Sequence, residues 1–341
     1  GFFNQLTLIS ENLHSKNNLL ILLFIITILS TTALLQQSGG FKALAQYLSR
    51  FSQSKRSSQI ITILLGMVIF IDDYVNSIVV GSQMRGLTDR YGISREKLTF
   101  LVDATSAPIA GVAIISTWIG YEVGLFDELS KQLGLGLNGY AIFLDILILR
   151  FYCFMMLAFV WLNVLWQVDF GPMGKKEQTN SNHGTVTTIT PAFDKKKPQG
   201  TESITLVLYP VAMLFAVLFI GFFIDSQRWA VLAIDPLSWL KLNFWKEMIT
   251  LSQHNKEIMA SAALAALICS LFLVRQKQPL KESIHTLYQG AKGALMPMAI
   301  LLLAWSIKNS LQELATAQFF IQFFSESLPI YFVPAFIFLL A

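Results

Sequence analysis

The chain is 341 residues long, 54% hydrophobic and only 13% charged, with a formal net charge of +4. A water-soluble domain carries about 25% charged residues, so a soluble enzyme is excluded as the ordinary reading. Apolar runs of about 20 residues instead describe an all-α polytopic membrane protein, whose basic excess belongs to its loops and not to a nucleic acid.

In chain order, the spanning candidates are 17–35, 98–120, 138–166, 203–224, 257–274 and 291–309. Residues 17–35 make a poor signal peptide, because the apolar run is too long and no small-residue cleavage site follows. The chain starts at Gly1 and its last run, "LPIYFVPAFIFLLA", stops at Ala341. It reads as a fragment of one membrane transport domain, open at both ends.

Residues 58–81 are apolar but interrupted. Within "GMVIFIDDYVNSIVVG", Asp72 and Asp73 are adjacent and are followed by Tyr74, Asn76 and Ser77. An ionisable group at bilayer depth costs at least about 2.5–3.5 kcal/mol, so the pair needs a reason. The basic residues supply one. Connector 36–57 carries Lys42, Arg50, Lys55 and Arg56, and connector 82–97 carries Arg85, Arg90, Arg95 and Lys97. Both belong on the cytoplasmic side. The segment between them then enters and returns as a re-entrant hairpin, with "DDYVNS" at its tip near the midplane. Carboxylates and non-helical backbone are tolerated at depth where they line a polar cavity. The plainer alternative is a straight helix with a salt-bridged aspartate pair, but no basic residue lies between Met67 and Met84.

Residues 94–120 begin with Ser94 as a helix N-cap and Glu96 in the first turn. Asp103, Thr105, Ser106 and Pro108 follow. Pro108 removes an i→i−4 bond and disfavours helix just before it. A second polar break is therefore expected there, with oxygen ligands suited to a hard cation. A proline kink with Thr and Ser bonding back to the helix is the alternative. Trp118 is expected at the outer interface.

Farther along, Asp145 is read as interfacial and Arg150 as snorkelling out of the long run 138–166. Residues 167–202, with "KKEQTNSNHGTVTT" and "DKKKPQG", read as a flexible cytoplasmic loop. Connectors 121–137 and 310–327 are poor in Lys and Arg, as extracytoplasmic loops should be. Connector 225–256 is less clean, with Arg228, Lys241, Lys246 and Lys256.

"LLQQSGGFKALAQYLSR" (34–50) partly recurs as "SLQELATAQFFIQFFSE" (310–326), in connectors of opposite basic character. That pattern suits an inverted-topology repeat. The first repeat would cover about 17–166, later spans 203–309, and a second hairpin would begin at 328–341. Cys153 and Cys269 lie in apolar runs, CxxC and HExxH spacings are missing, and no nucleophile–base set is present. The chain therefore reads as a transporter and not as an enzyme or metalloprotease.

"FIDDYVNSIVVGSQMRGLTDRYGISREKL" (70–98), "LVDATSAPIAGVAIISTWIGYEVG" (101–124) and "DFGPM" (169–173) resemble the NhaC-type Na⁺/H⁺ antiporter family of the ion transporter superfamily. Gly86 departs from a usual Pro, and "DATSAP" from a usual "DSTAAP". The resemblance implies exchange of Na⁺ (or Li⁺) for H⁺ across a bacterial inner membrane. It implies no cofactor, the lipid bilayer as surroundings, and a homodimer as an open option. Relatives that exchange small organic acids or amino acids make that the alternative. Asp72, Asp73, Asn76, Asp103 and Thr105 carry over as cation or proton site candidates, beside the neighbouring Ser77 and Ser106. Asp73 and Asp103 are the Na⁺ candidates. Desolvation pushes a carboxylate at depth toward its neutral form while a bound cation favours the ionised one. H⁺ and Na⁺ would then exclude each other, with neighbouring carboxylates titrating as a pair.

Overall fold

A computed structural model describes residues 15–182 and 203–316, apart from 229–230, 232–233 and 236, with a few positions between 318 and 335. The described residues are helical and carry no strand. Six stretches among them are long and apolar enough to cross a membrane: Asn18–Gln37, Arg95–Lys131, Phe151–Glu177, Thr205–Asp225, Asn255–Arg275 and Leu280–Glu313. They correspond one to one with the expected spans and establish an all-α polytopic membrane protein. The chain forms two compact units, Leu20–Ala294 and Gly1–Leu19 with Leu295–Ala341. In the second unit, Ser306 and Ser310 donate to carbonyls one turn back in their own helix. Most of the second hairpin expected at 328–341 lies outside the described residues.

Within the first unit, α1 (Lys16–Gln37) leads through Gly39, in the left-handed conformation at φ 79°, into the short α2 (Gly40–Ser49). Then come α3 (Lys55–Val68) and α4 (Asp73–Arg90), separated by four non-helical residues. Ser54 caps α3 in a reciprocal box with Ser57. Laid end to end, helices of 14 and 18 residues would span roughly 48 Å. Yet the Tyr91 hydroxyl, just past α4, donates to the Ser52 carbonyl, just before α3, at 2.8 Å. The chain therefore reverses at 69–72, as the basic connectors require. One face of the hairpin is apolar: Leu65, Ile69, Val79, Val80 and Met84 pack with Phe41, Leu98, Val102 and Val207.

Next, α5 (Arg95–Val112) starts at the expected Ser94 cap, whose Oγ accepts from the Lys97 amide at 3.1 Å. It does not break at Pro108, which sits inside the helix. The interruption comes later, at 113–116, before α6 (Thr117–Leu133). A proline deletes one N–H, and the helix survives that loss. It ends where other groups capture its carbonyls. Ser116 Oγ donates to Ala110 O at 2.8 Å while capping Ile119 N, and the Tyr140 hydroxyl donates to Ile114 O at 2.5 Å.

The run 138–166 is also broken, into α7 (Gly139–Ile146), a 3₁₀ turn (Leu147–Leu149) and α8 (Phe151–Trp166). It is followed by α9 (Gly171–Asn182), so the first part of the expected loop is helix. That part is anchored: buried Glu177 pairs with Lys55 at 2.7 Å and accepts from the Ser94 amide at 2.9 Å. Lys97, 1% exposed, pairs with Asp169 and Asn163. Residues 183–202 lie outside the described residues.

Finally come α10 (Thr205–Asp225), α11 (Leu242–Leu251), α12 (Asn255–Arg275) and α13 (Leu280–Glu313). Helices α10 and α12 pack closely: a Cβ on Gly221 would lie 2.7 Å from Ile258 Cγ2. Connectors 36–57, 82–97 and 167–182 thus meet at one end of the unit. At the other end Asn138 donates to Ile249 O (3.2 Å) and Ser252 O (2.8 Å), and Lys256 pairs with Asp127 at 2.9 Å. Connectors 36–57, 82–97 and 167–182 at one end, with 121–137 and 225–256 at the other, is the pairing that alternate crossings of this unit demand.

Candidate ion site at the crossing of two helix breaks

The hairpin tip and the α5–α6 break meet. Asp72 is the N-cap of α4: its Oδ1 accepts from Val75 N at 2.9 Å, and its Oδ2 accepts from the Thr117 hydroxyl at 2.8 Å. The Thr117 amide donates to Ile71 O at 3.0 Å. Asp73, the first residue of α4, accepts from the Trp118 indole N–H at 2.9 Å. Trp118, expected as an interfacial anchor, is thus a hydrogen-bond partner of the tip. Both aspartates are held by neutral donors from the start of α6, and the tip contains no salt bridge among the described residues.

Asn76 is fully buried and turns into the hairpin. Its Nδ2 donates to Gly66 O at 2.6 Å and Ile69 O at 2.8 Å, satisfying carbonyls that the end of α3 leaves open. With both amide hydrogens on carbonyls, Oδ1 must point the other way, and there it has no hydrogen-bond partner. A buried acceptor without a partner costs about 1–3 kcal/mol. Gly66 packs against Thr105 and Asn76: a Cβ there would lie 2.7 Å from Thr105 Oγ1 and 3.7 Å from Asn76 Oδ1. Thr105 donates back to Leu101 O at 2.8 Å, which leaves its oxygen lone pairs available.

The predicted residues therefore divide. Asp72, Asp73, Asn76 and Thr105 surround the tip. Asp103 does not join them: it is exposed on α5 and lines a cavity of about 540 Å³ between α4 and α5. Ser77 and Gly81 line the same cavity from α4, as do Thr99, Arg85 and Arg95 nearer the basic end. Ser77 Oγ donates to Asp73 O at 2.9 Å, so the cavity reaches within one helical turn of the tip. Ser106 bonds back to Asp103 O at 3.2 Å, within its own helix. Asp73 and Asn76 are set apart, because Asn76 is turned into the hairpin by the two carbonyls while Asp73 stays half-exposed beside Trp118.

Arg150 does not snorkel. Its Nη1 donates to Gly111 O at 2.9 Å, both Nη atoms pair with Glu122, and its Cζ lies 5.0 Å from the centre of the Phe143 ring. The arginine inside an apolar run was a visible signal. Its partner was not, because Glu122 reads as part of a connector. Asp145, by contrast, pairs with Lys246 at 2.6 Å and both are half-exposed, as an interfacial residue would be.

Residues 110–341 match the Na⁺/H⁺ antiporter family. A protein of Haemophilus influenzae described as uncharacterized is 22% identical over 339 residues, 99% of this chain and 63% of its own length. The chain thus spans less than two thirds of that relative, and no solved structure matches it. With more than half of its residues matched, the chain belongs to the Na⁺/H⁺ antiporter family.

Proposed function

We propose that this protein is a secondary transporter of the NhaC type, exchanging Na⁺ (or Li⁺) for H⁺ across a bacterial inner membrane. The observation that carries the reading is the unpartnered, fully buried Asn76 Oδ1 at a hairpin tip that also holds two carboxylates. Na⁺ is a hard cation that takes oxygen ligands; Asn76 Oδ1 and Thr105 Oγ1 offer neutral ones inside the hairpin, and Asp73 supplies a charge from the Trp118 side of the same tip. Asp72, already engaged by Val75 and Thr117, shapes the tip. Protonation of the carboxylate removes the charge that holds the cation, so the two ions compete, and competition at a site open alternately to each side yields exchange. The cavity ending at Ser77 and Asp103 is the route of access, with Asp103 as a second cation-attracting group.

The test is a pH-gradient assay of the full-length protein in vesicles, screening Na⁺, Li⁺ and K⁺. Asp73→Asn is expected to abolish exchange while the protein still inserts, and Asp103→Asn to weaken it. Wild-type exchange in Asp72→Asn, Asp73→Asn and Asp103→Asn alike would refute the competition mechanism.

A second reading has one specific observation behind it. Arg85 and Arg95 line the cavity between α4 and α5. Arg95 is paired with Asp89 at 2.8 Å; Arg85 has no side-chain partner among the described residues. A guanidinium in a cavity of this size suits a carboxylate ligand. A proton- or sodium-coupled exchanger of a small organic acid or amino acid would use it. Uptake of such a solute by the wild type, lost in Arg85→Gln, would favour this reading.

A further inference from the structure

The α5–α6 break leaves carbonyls without helical partners, and three side chains take them: Ser116 takes Ala110 O, Tyr140 takes Ile114 O, and Arg150 takes Gly111 O. The third is different in kind. Arg150 comes from a different interruption, the turn before α8, where it is itself the N-cap position. Its guanidinium reaches both sides of the α5–α6 break at once. Gly111 lies in the last turn of α5, and Glu122 lies five residues into α6. A Cβ on Gly111 would lie 3.0 Å from Cys153 Sγ but at an ordinary contact distance of 3.8 Å from Arg150 Nη1, so the glycine makes room for Cys153 on α8. The arginine is half-buried in an apolar run, and its planar fork matches the carboxylate bidentately. Such a residue is retained at membrane depth only where a specific arrangement holds it.

We infer that Arg150 and Glu122 form a clamp that sets the geometry of the 113–116 break, and that Arg150 is a positioning residue for the ion site. The link is short. Thr117 and Trp118 open α6, immediately after the break, and they are the donors to Asp72 and Asp73. Glu122 sits on the same helix, little more than one turn later. Releasing the clamp frees α6 to change its angle to α5, and both donors move with it. Those donors fix where the two carboxylates point, so displacing them weakens the hold on the cation. This inference rests on the cation/proton exchange proposed above.

Two measurements separate the ideas. Spin labels at Thr99 on α5 and Leu129 on α6, both exposed, report the geometry of the break whether or not the protein transports; Cys153 and Cys269 are replaced by alanine for labelling. A single narrow distance is expected in the parent lacking the two native cysteines and in Arg150→Lys, which keeps a donor and a charge. A broadened or displaced distance is expected in Arg150→Gln and in the double variant Arg150→Gln/Glu122→Gln. In vesicles, Arg150→Gln should raise the KM for Na⁺ about tenfold or more, the scale of a lost charge-assisted bond, with Arg150→Lys recovering part of it. The double variant should stay impaired, because neutralising both partners does not restore the bond to Gly111 O. An unchanged distance in Arg150→Gln overturns the clamp. An unchanged KM, with only less protein in the membrane, makes the pair structural and overturns the positioning role. Full recovery in the double variant reduces it to charge balance and overturns it too. If the wild type shows no cation exchange at all, the proposed function fails while the distance measurement still decides the clamp.

Discussion

At the residue scale, the tip is organised by which polar atoms are already satisfied. Asp72 spends its oxygens on a helix cap and a threonine, and Asn76 spends both amide hydrogens on carbonyls of α3. What remains is Asn76 Oδ1, near the point where Thr105 comes close to the backbone because residue 66 is glycine. Gly66→Ala would push a methyl group to 2.7 Å from Thr105 Oγ1. Its expected result is loss of Na⁺-dependent exchange from a protein that still inserts, measured as transport per inserted molecule; exchange at the wild-type KM would show that the space beside Asn76 holds no cation. The sequence singled out Asp72, Asp73, Asn76 and Thr105 because polar residues at membrane depth are costly enough to stand out. It could not part Asp103 from them. Asp103 is no less anomalous by composition, and only the rotation of α5 in its packing decides which way it faces.

At the element scale, the reversal between α3 and α4 is the feature that makes a tip at all. It follows from a 14-residue α3 too short to cross, a polar α4, and basic residues flanking both. Cysteines introduced at Gln53 and Arg90, both exposed, should be labelled by an impermeant thiol reagent from the same side of the membrane, and one at Leu135 from the opposite side. Labelling of the first two from opposite sides would mean that 55–90 crosses the bilayer. The α5–α6 break teaches the complementary lesson. Pro108 is a strong local signal, yet the helix runs through it and yields at 113–116, where Ser116, Tyr140 and Arg150 supply donors. Two of those donors come from 26 and 39 residues away in the chain, beyond what local reading reaches.

At the scale of the whole molecule, buried ion pairs tie the base of the hairpin and the start of α5 to the segment after α8. Lys97 is 1% exposed and bonded to Asp169, and Glu177 joins Lys55 to Ser94. Removing one partner of such a pair leaves a buried charge unmatched and typically costs about 3–5 kcal/mol. Lys97→Ala should therefore lower the Tm of the purified protein by several degrees, and a Tm equal to the wild type would show that the pair carries no stability. Deleting 183–200 should leave both Tm and transport close to wild type, because their polar composition does not build a core, whereas a deletion extended back through Glu177 should unfold the basic end. By itself the sequence determined the class of the molecule, its six spans, a reversal just before Asp73 and which connectors share an end. All of these follow from transfer energies summed over local segments, which depend on composition and length alone. Only the tertiary structure decided where α5 breaks, that 171–182 is a docked helix, that Arg150 pairs with Glu122, and which aspartate meets which donor. Those outcomes depend on partners distant in sequence, whose carbonyls and charges must be satisfied in a medium without water to do it.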